Sequence, residues 1–173
     1  MGESVHVAMN PVDPAQFCED VRGRLVAALV LYTGDRHLAE ELAQEALARA
    51  WERWDKVGVM ASPEGWTFRT ARNLAVSRWR RRGIERRARM GSGAAVVVDP
   101  AEGVAIRDAV AALPERQRAT IVARFYLGLS VVETAEQLGC AEGTVKAATS
   151  QALDRLRANG FIEPMIADER PGA

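Results

Sequence analysis

Apolar residues return every three or four positions from Phe17 onward. Phe17, Val21, Leu25, Ala28, Leu29 and Tyr32 form one stripe, the period of an amphipathic helix. Gly34 interrupts it. DRHLAEELAQEALARAWERW then repeats the pattern with Leu38, Leu42, Ala46 or Leu47, Ala50, Trp51 and Trp54. Glu41, Gln44, Glu45, Arg49 and Glu52 fall on its opposite face. Ser62-Pro63-Glu64 has the form of a helix start: a capping hydroxyl, a proline at the first turn and an acid favourable to the dipole. A third helix is expected from Pro63 to about Arg82, with Trp66, Ala71 or Leu74, and Trp79 near one face.

The pattern fails from Met90 to Pro100, MGSGAAVVVDP, which has two glycines, a proline and no helical period; it reads as a linker. Val96-Val97-Val98 suits a short strand but has no partner strand nearby, so the expected class is all-α. Four further helices are expected. One spans Ala101 to Ala112, and one opens at Pro114 and ends near Gly128. Ser130-Val131-Val132-Glu133 is a capping box opening the next, which Gly139 ends. The last covers Glu142 to Arg157. Two helices joined by a tight glycine-bearing turn, the second partly basic, form a helix-turn-helix pattern.

Charge sharpens this picture. The formal net charge of the 173 residues is zero. Yet residues 69–89 hold nine arginines and one glutamate, while 1–68 hold eleven acids against six bases and 90–173 eleven against eight. A basic block between mildly acidic flanks suits phosphate binding rather than simple solvation. Trp66 and Trp79 lie among these arginines and are able to stack on unpaired bases, although each tryptophan also suits a core. In the last helix Val145, Thr149, Ala152, Leu153 and Leu156 form the packed face. Gly143, Lys146, Ala147, Ser150, Gln151 and Asp154 line the opposite strip. Set in a major groove, Lys146, Ser150 and Gln151 reach base edges, and Thr144 and Arg155 suit phosphates; an ordinary helix with a solvated face has the same pattern.

Other chemistries find no footing. Cys18 and Cys140 are far apart and lack a CxxC partner, which suits two reduced thiols in a cytoplasmic protein. His6 and His37 are isolated, and no glycine-rich phosphate loop or HExxH occurs. No enzyme activity, cofactor or metal is expected. The longest apolar run, Leu25 to Tyr32, is too short to span a bilayer, and no secretory signal is visible.

GDRHLAEELAQEALARAWERW, SPEGWTFRTARNLAVSRWRRR and ALPERQRATIVARFYLGLSVVETAEQLGCAEGTVKAATSQALDRLR resemble, in order and spacing, the extracytoplasmic-function (ECF) sigma factors of bacterial RNA polymerase. The resemblance covers about residues 15–158. It implies two small helical domains joined by a flexible linker: region 2 at 14–89, a linker at 90–103 and region 4 at 104–160, with tails at 1–13 and 161–173. It implies that region 2 binds the polymerase clamp and melts the −10 element, through Leu42, Gln44, Glu45 and Arg49 for the clamp. The loop at Val59 to Ser62 and a helix bearing Arg69, Arg72, Asn73, Arg78, Trp79, Arg80, Arg81 and Arg82 would hold the −10 strand. Thr144, Lys146, Ala147, Ser150, Gln151 and Arg155 would bind the −35 duplex. The implied partners are core polymerase and promoter DNA, with an anti-sigma factor as a further candidate. The recognition helix departs from the family pattern. Relatives usually have serine at the position of Ala141, often a long polar residue at that of Ala148, and often arginine near Gln151. A stand-alone helix-turn-helix regulator with an N-terminal interaction module is the alternative reading.

Overall fold

The computed structural model describes residues 13–89 and 104–160. The expected tails, the linker and the Val96–Val98 strand lie outside the described residues, apart from Asp13. Among the described residues every regular element is helical.

Helix α1 (Pro14–Thr33) opens with proline in its first turn and closes at Gly34, whose φ of 73° lets its N–H reach Val30 O. Only glycine takes that conformation cheaply. Asp35 caps α2 (Arg36–Glu52) by accepting the Leu38 N–H at 3.0 Å. The expected helix through Trp54 stops at Glu52. Arg53 leaves helical geometry and a four-residue helix, α3 (Trp54–Val57), begins after it. The break turns Trp54 back onto Phe17, with ring centroids 4.8 Å apart. Ser62 accepts the Gly65 N–H and starts α4 (Pro63–Arg89), which continues past the expected end at Arg82. Arginine, glutamate and alanine are good helix formers, and Gly83 alone does not stop the helix.

Leu25, Leu29, Leu42, Ala46, Phe68, Ala71 and Ala75 are fully buried where α1, α2 and α4 meet. Ala39, Ala43, Ala46 and Ala50 give α2 a smooth inner face, which lets its neighbours approach closely. Trp51 does not join this face as its spacing suggested; it is 51% exposed. Phe68, absent from the expected stripe, fills the core instead.

The second half comprises α5 (Val104–Ala111), α6 (Glu115–Ile121), α7 (Val131–Leu138) and α8 (Glu142–Ala158). The helix expected to run unbroken from Pro114 loosens after Ile121 into a π turn, Val122–Tyr126, marked by a Leu127 N–H to Val122 O bond. The capping box of α7 is complete: Ser130 Oγ accepts the Glu133 N–H at 3.1 Å and Glu133 accepts the Ser130 N–H at 2.7 Å. That backbone bond holds the Glu133 carboxyl below the usual carboxylate range. Gly139, at φ 64°, ends α7 and aims the chain into α8. The two halves pack on each other, α1 and α4 against α5, α7 and the π turn.

Candidate nucleic-acid interface

Helix α8 is anchored by Val145, Ala148, Ala152 and Leu156, all buried. That anchoring leaves Gly143, Lys146, Ala147, Ser150, Gln151 and Asp154 exposed along one strip, with Arg155 beside them and Thr144 half-buried. Ala148 points into the core, so its small size removes nothing from the exposed strip. Gln151 is held in place from within: Gln117, itself buried, donates to Gln151 Oε1 at 3.1 Å. The Gln151 amide donors are then free for an acceptor outside. Ala141 stands at the N-cap in extended conformation and supplies no side-chain bond.

The arginines of α4 separate into two groups. Arg69, Arg80, Arg81 and Arg82 are exposed, as is Asn73. Arg78 is committed elsewhere, bonded to Glu41 and, at 3.3 Å, to Glu45, which ties α4 to α2. Arg72 is also engaged: its side chain is 17% exposed and donates to Glu115 Oε1 at 2.8 Å. Trp79 lies against Tyr32, with centroids 5.5 Å apart, and under the Arg118 guanidinium. The expectation that Arg72, Arg78 and Trp79 stand open to a strand is therefore not met in this arrangement. Sequence spacing places residues on a face; it does not show which acids from other helices meet them.

Spacing also gives no sign of a cleft of about 480 Å³ between the end of α2 and α4. Arg49, Glu52, Arg53, Trp66, Thr70 and Asn73 line it. It combines cations, amide and hydroxyl groups, and an aromatic wall, a set able to hold a planar polar ring. The neighbouring loop exposes Val59 and Met60.

On α2, Gln44 is exposed and Arg49 donates to Glu45 at 2.7 Å. Leu42 is a correction. It is fully buried, so it supports the helix from within and offers no surface to a partner. Trp51 takes its place as the exposed apolar residue of α2. His37 is exposed beside Glu41. Among the described residues no group of histidine, cysteine and acid side chains is placed to hold a metal, and no helix is long and apolar enough to cross a membrane.

Two family models match the chain: Sigma-70 region 2 over residues 17–84 and Sigma-70, region 4 over residues 103–156. The ECF RNA polymerase sigma factor SigL of Mycobacterium tuberculosis is 38% identical over 136 residues, covering 72% of this chain and 76% of the relative. The RNA polymerase sigma-E factor of Streptomyces antibioticus is 35% identical over 149 residues, covering 82% and 83%. In the solved complex of the sigma factor RpoE with the anti-sigma factor NepR from Bartonella quintana, one chain superposes with a TM-score of 0.78 at 28% identity. The match covers 87% of this chain and 98% of that one. With both regions matched in order, and both halves sharing the fold of a solved sigma factor, the chain belongs to the ECF sigma factors of RNA polymerase.

Proposed function

We propose that the chain directs core RNA polymerase to particular promoters by three contacts. The exposed face of α2, at Gln44, Glu45, Arg49 and Trp51, docks on the polymerase. The α8 strip enters the −35 major groove, where Lys146 and the Gln151 donors meet purine N7 or carbonyl acceptors and Thr144 and Arg155 meet phosphates. Arg69, Arg80, Arg81 and Arg82 follow the backbone of the −10 strand, joined by Arg72 and Trp79 when these are free. The cleft beside Trp66 and Asn73 receives an unstacked base.

One observation carries the reading: a single chain pairs a firmly seated helix-turn-helix with a separate row of exposed arginines beside a base-sized polar cleft. The first suits intact duplex and the second a melted strand. Tethering to one polymerase lets each contact be weak by itself. Each captured base offsets unstacking of about 1.4 kcal/mol per step. The site of action is the cytoplasm, where polymerase and promoter are. A regulatory partner fits too, since the superposed RpoE chain was solved with an anti-sigma factor.

The test is run-off transcription with purified chain and sigma-free core polymerase on a genomic fragment library. Start sites that share an upstream sequence support the reading. No co-elution with core and no transcript, alongside DNA binding by the chain alone, would favour the stand-alone regulator.

A further inference from the structure

Gln151 faces outward on α8, but its own helix does little to fix its side chain. Ala147 and Ala148, the residues one turn before it, end at Cβ. Asp154, one turn after it, is bonded to Arg157 at 3.1 Å. The contact that holds the Gln151 amide comes from another helix: Gln117 of α6 donates to its Oε1 at 3.1 Å. Gln117 is 7% exposed. An amide is an unfavourable choice at such a place. The Gln117 Oε1 is buried without a partner, and an orphan acceptor costs stability that an apolar side chain of similar shape avoids. What the amide contributes there is the bond to Gln151. Local conflicts of this kind mark functional positions.

We infer that Gln117 sets which base Gln151 reads: by holding the amide with oxygen inward and nitrogen outward, it makes Gln151 a reader of guanine and turns it away from adenine. The inference rests on the −35 role proposed for α8. An unrestrained glutamine pairs with adenine, because it turns its oxygen to the N6 amino group and its nitrogen to N7 together. Here the oxygen is turned toward a buried residue. The nitrogen lies across the same trigonal carbon and faces out, so only donors reach the groove. Guanine presents N7 and O6, both acceptors, and takes both N–H groups. Adenine presents N7 beside an amino donor, so the second N–H of Gln151 meets another donor. Reversing both amides does not restore the adenine mode without cost. It would put the two Gln117 donors where its oxygen now lacks a partner, and buried N–H groups without a partner are rarer than such carbonyl oxygens.

Gln117 is therefore a positioning residue outside the recognition helix, and it acts through Gln151. Its effect falls on one base pair of the element. There it gives guanine an advantage over adenine of about tenfold, within the range of a good base contact.

The test uses the full chain with core polymerase on a barcoded promoter library randomised across the −35 element. Transcript sequencing gives the base preference at each pair. Gln151→Ala identifies the pair that Gln151 reads. At that pair the unaltered chain should favour guanine over adenine about tenfold. Gln117→Met is close in length and cannot hold the amide. It should bring that ratio to about one and leave the other pairs as they were. The same change in a Gln151→Ala background should alter nothing further. Gln151→Glu keeps an acceptor for Gln117 and turns a second acceptor outward, so it should select cytosine, whose N4 amino group donates. Circular dichroism checks that each variant is helical. Adenine favoured over guanine by the unaltered chain overturns the inference, as does a guanine preference that Gln117→Met leaves unchanged. Continued selection of guanine by Gln151→Glu also overturns it, and this exposed position decides the question even if Gln117→Met fails to fold. A Gln151→Ala chain that transcribes with no change at any pair places the fault instead in the −35 role given to α8.

Discussion

The start of α8 offers a perturbation whose size follows from a neighbouring helix. Ala141 and Ser130 are both N-caps in extended conformation, at φ −71°, ψ 150° and φ −64°, ψ 168°. They differ by 7° in φ and 18° in ψ. Ser130 takes the Glu133 N–H at 3.1 Å; Ala141 has no side-chain oxygen, and only its carbonyl serves the Thr144 and Val145 N–H groups. Position 141 is exposed, so Ala141→Ser creates no clash and places a hydroxyl near the Gly143 or Thr144 N–H. The gain is about 1 kcal/mol, the usual worth of such a cap. For a cooperative unit of this size that raises Tm by about 2–4 °C. At a urea m value of about 2 kcal/mol/M it moves the midpoint by about 0.5 M. Circular dichroism melts and urea titrations of the full chain measure both. Ser130→Ala is the matched control and should fall by a similar amount. If Ser130→Ala lowers Tm while Ala141→Ser leaves Tm and midpoint unchanged, the capping argument for α8 is wrong.

Three further outcomes are expected. Replacing Arg80, Arg81 and Arg82 together with alanine should flatten the dependence of log K on log salt by about 0.7 per lost phosphate contact, about 2 in all, for single-stranded DNA; an unchanged slope would show these cations to be merely solvated. Gln151→Ala should relax preference at one −35 base pair by ~1–3 kcal/mol in competition binding across promoter variants, whereas uniform loss across all variants would move Gln151 to the backbone. Burial, then the bond to Glu115, pushes the Tyr32 hydroxyl up from the usual tyrosine value. Because the folded value is the higher one, the stability from this group is complete below the ordinary range and is lost as pH rises through the folded value. In a Tyr126→Phe background Tyr32 is the single tyrosine. Its phenolate absorbance should then appear together with loss of helicity, and a phenolate forming near pH 10 in folded chain would contradict the buried bond.

Most of the helices were legible in the sequence because helix is a local matter. Period, caps and glycines at Gly34, Ser62, Ser130 and Gly139 act within one turn, and each stands where its chemistry predicted. The exposed strip of α8 followed from the same period. The breaks at Arg53 and after Ile121 were not legible: each lets a neighbouring segment pack, Trp54 on Phe17 in the first case, and no local residue announces it. Leu42 and Trp51 show the limit of spacing, since the helix period leaves the edge of the buried face undefined by about one residue and only the packed neighbours decide it.

The arginine run marks the same division more sharply. Composition by itself placed nine cations within residues 69–89 and tied them to an anionic partner. Which of them stand free was decided by acids remote in the chain, Glu41 and Glu45 on Arg78, and Glu115 on Arg72. Helical order is set by interactions a few residues apart, which a sequence states directly. Charge pairing between halves depends on where the fold brings distant carboxylates, and only tertiary packing determines that.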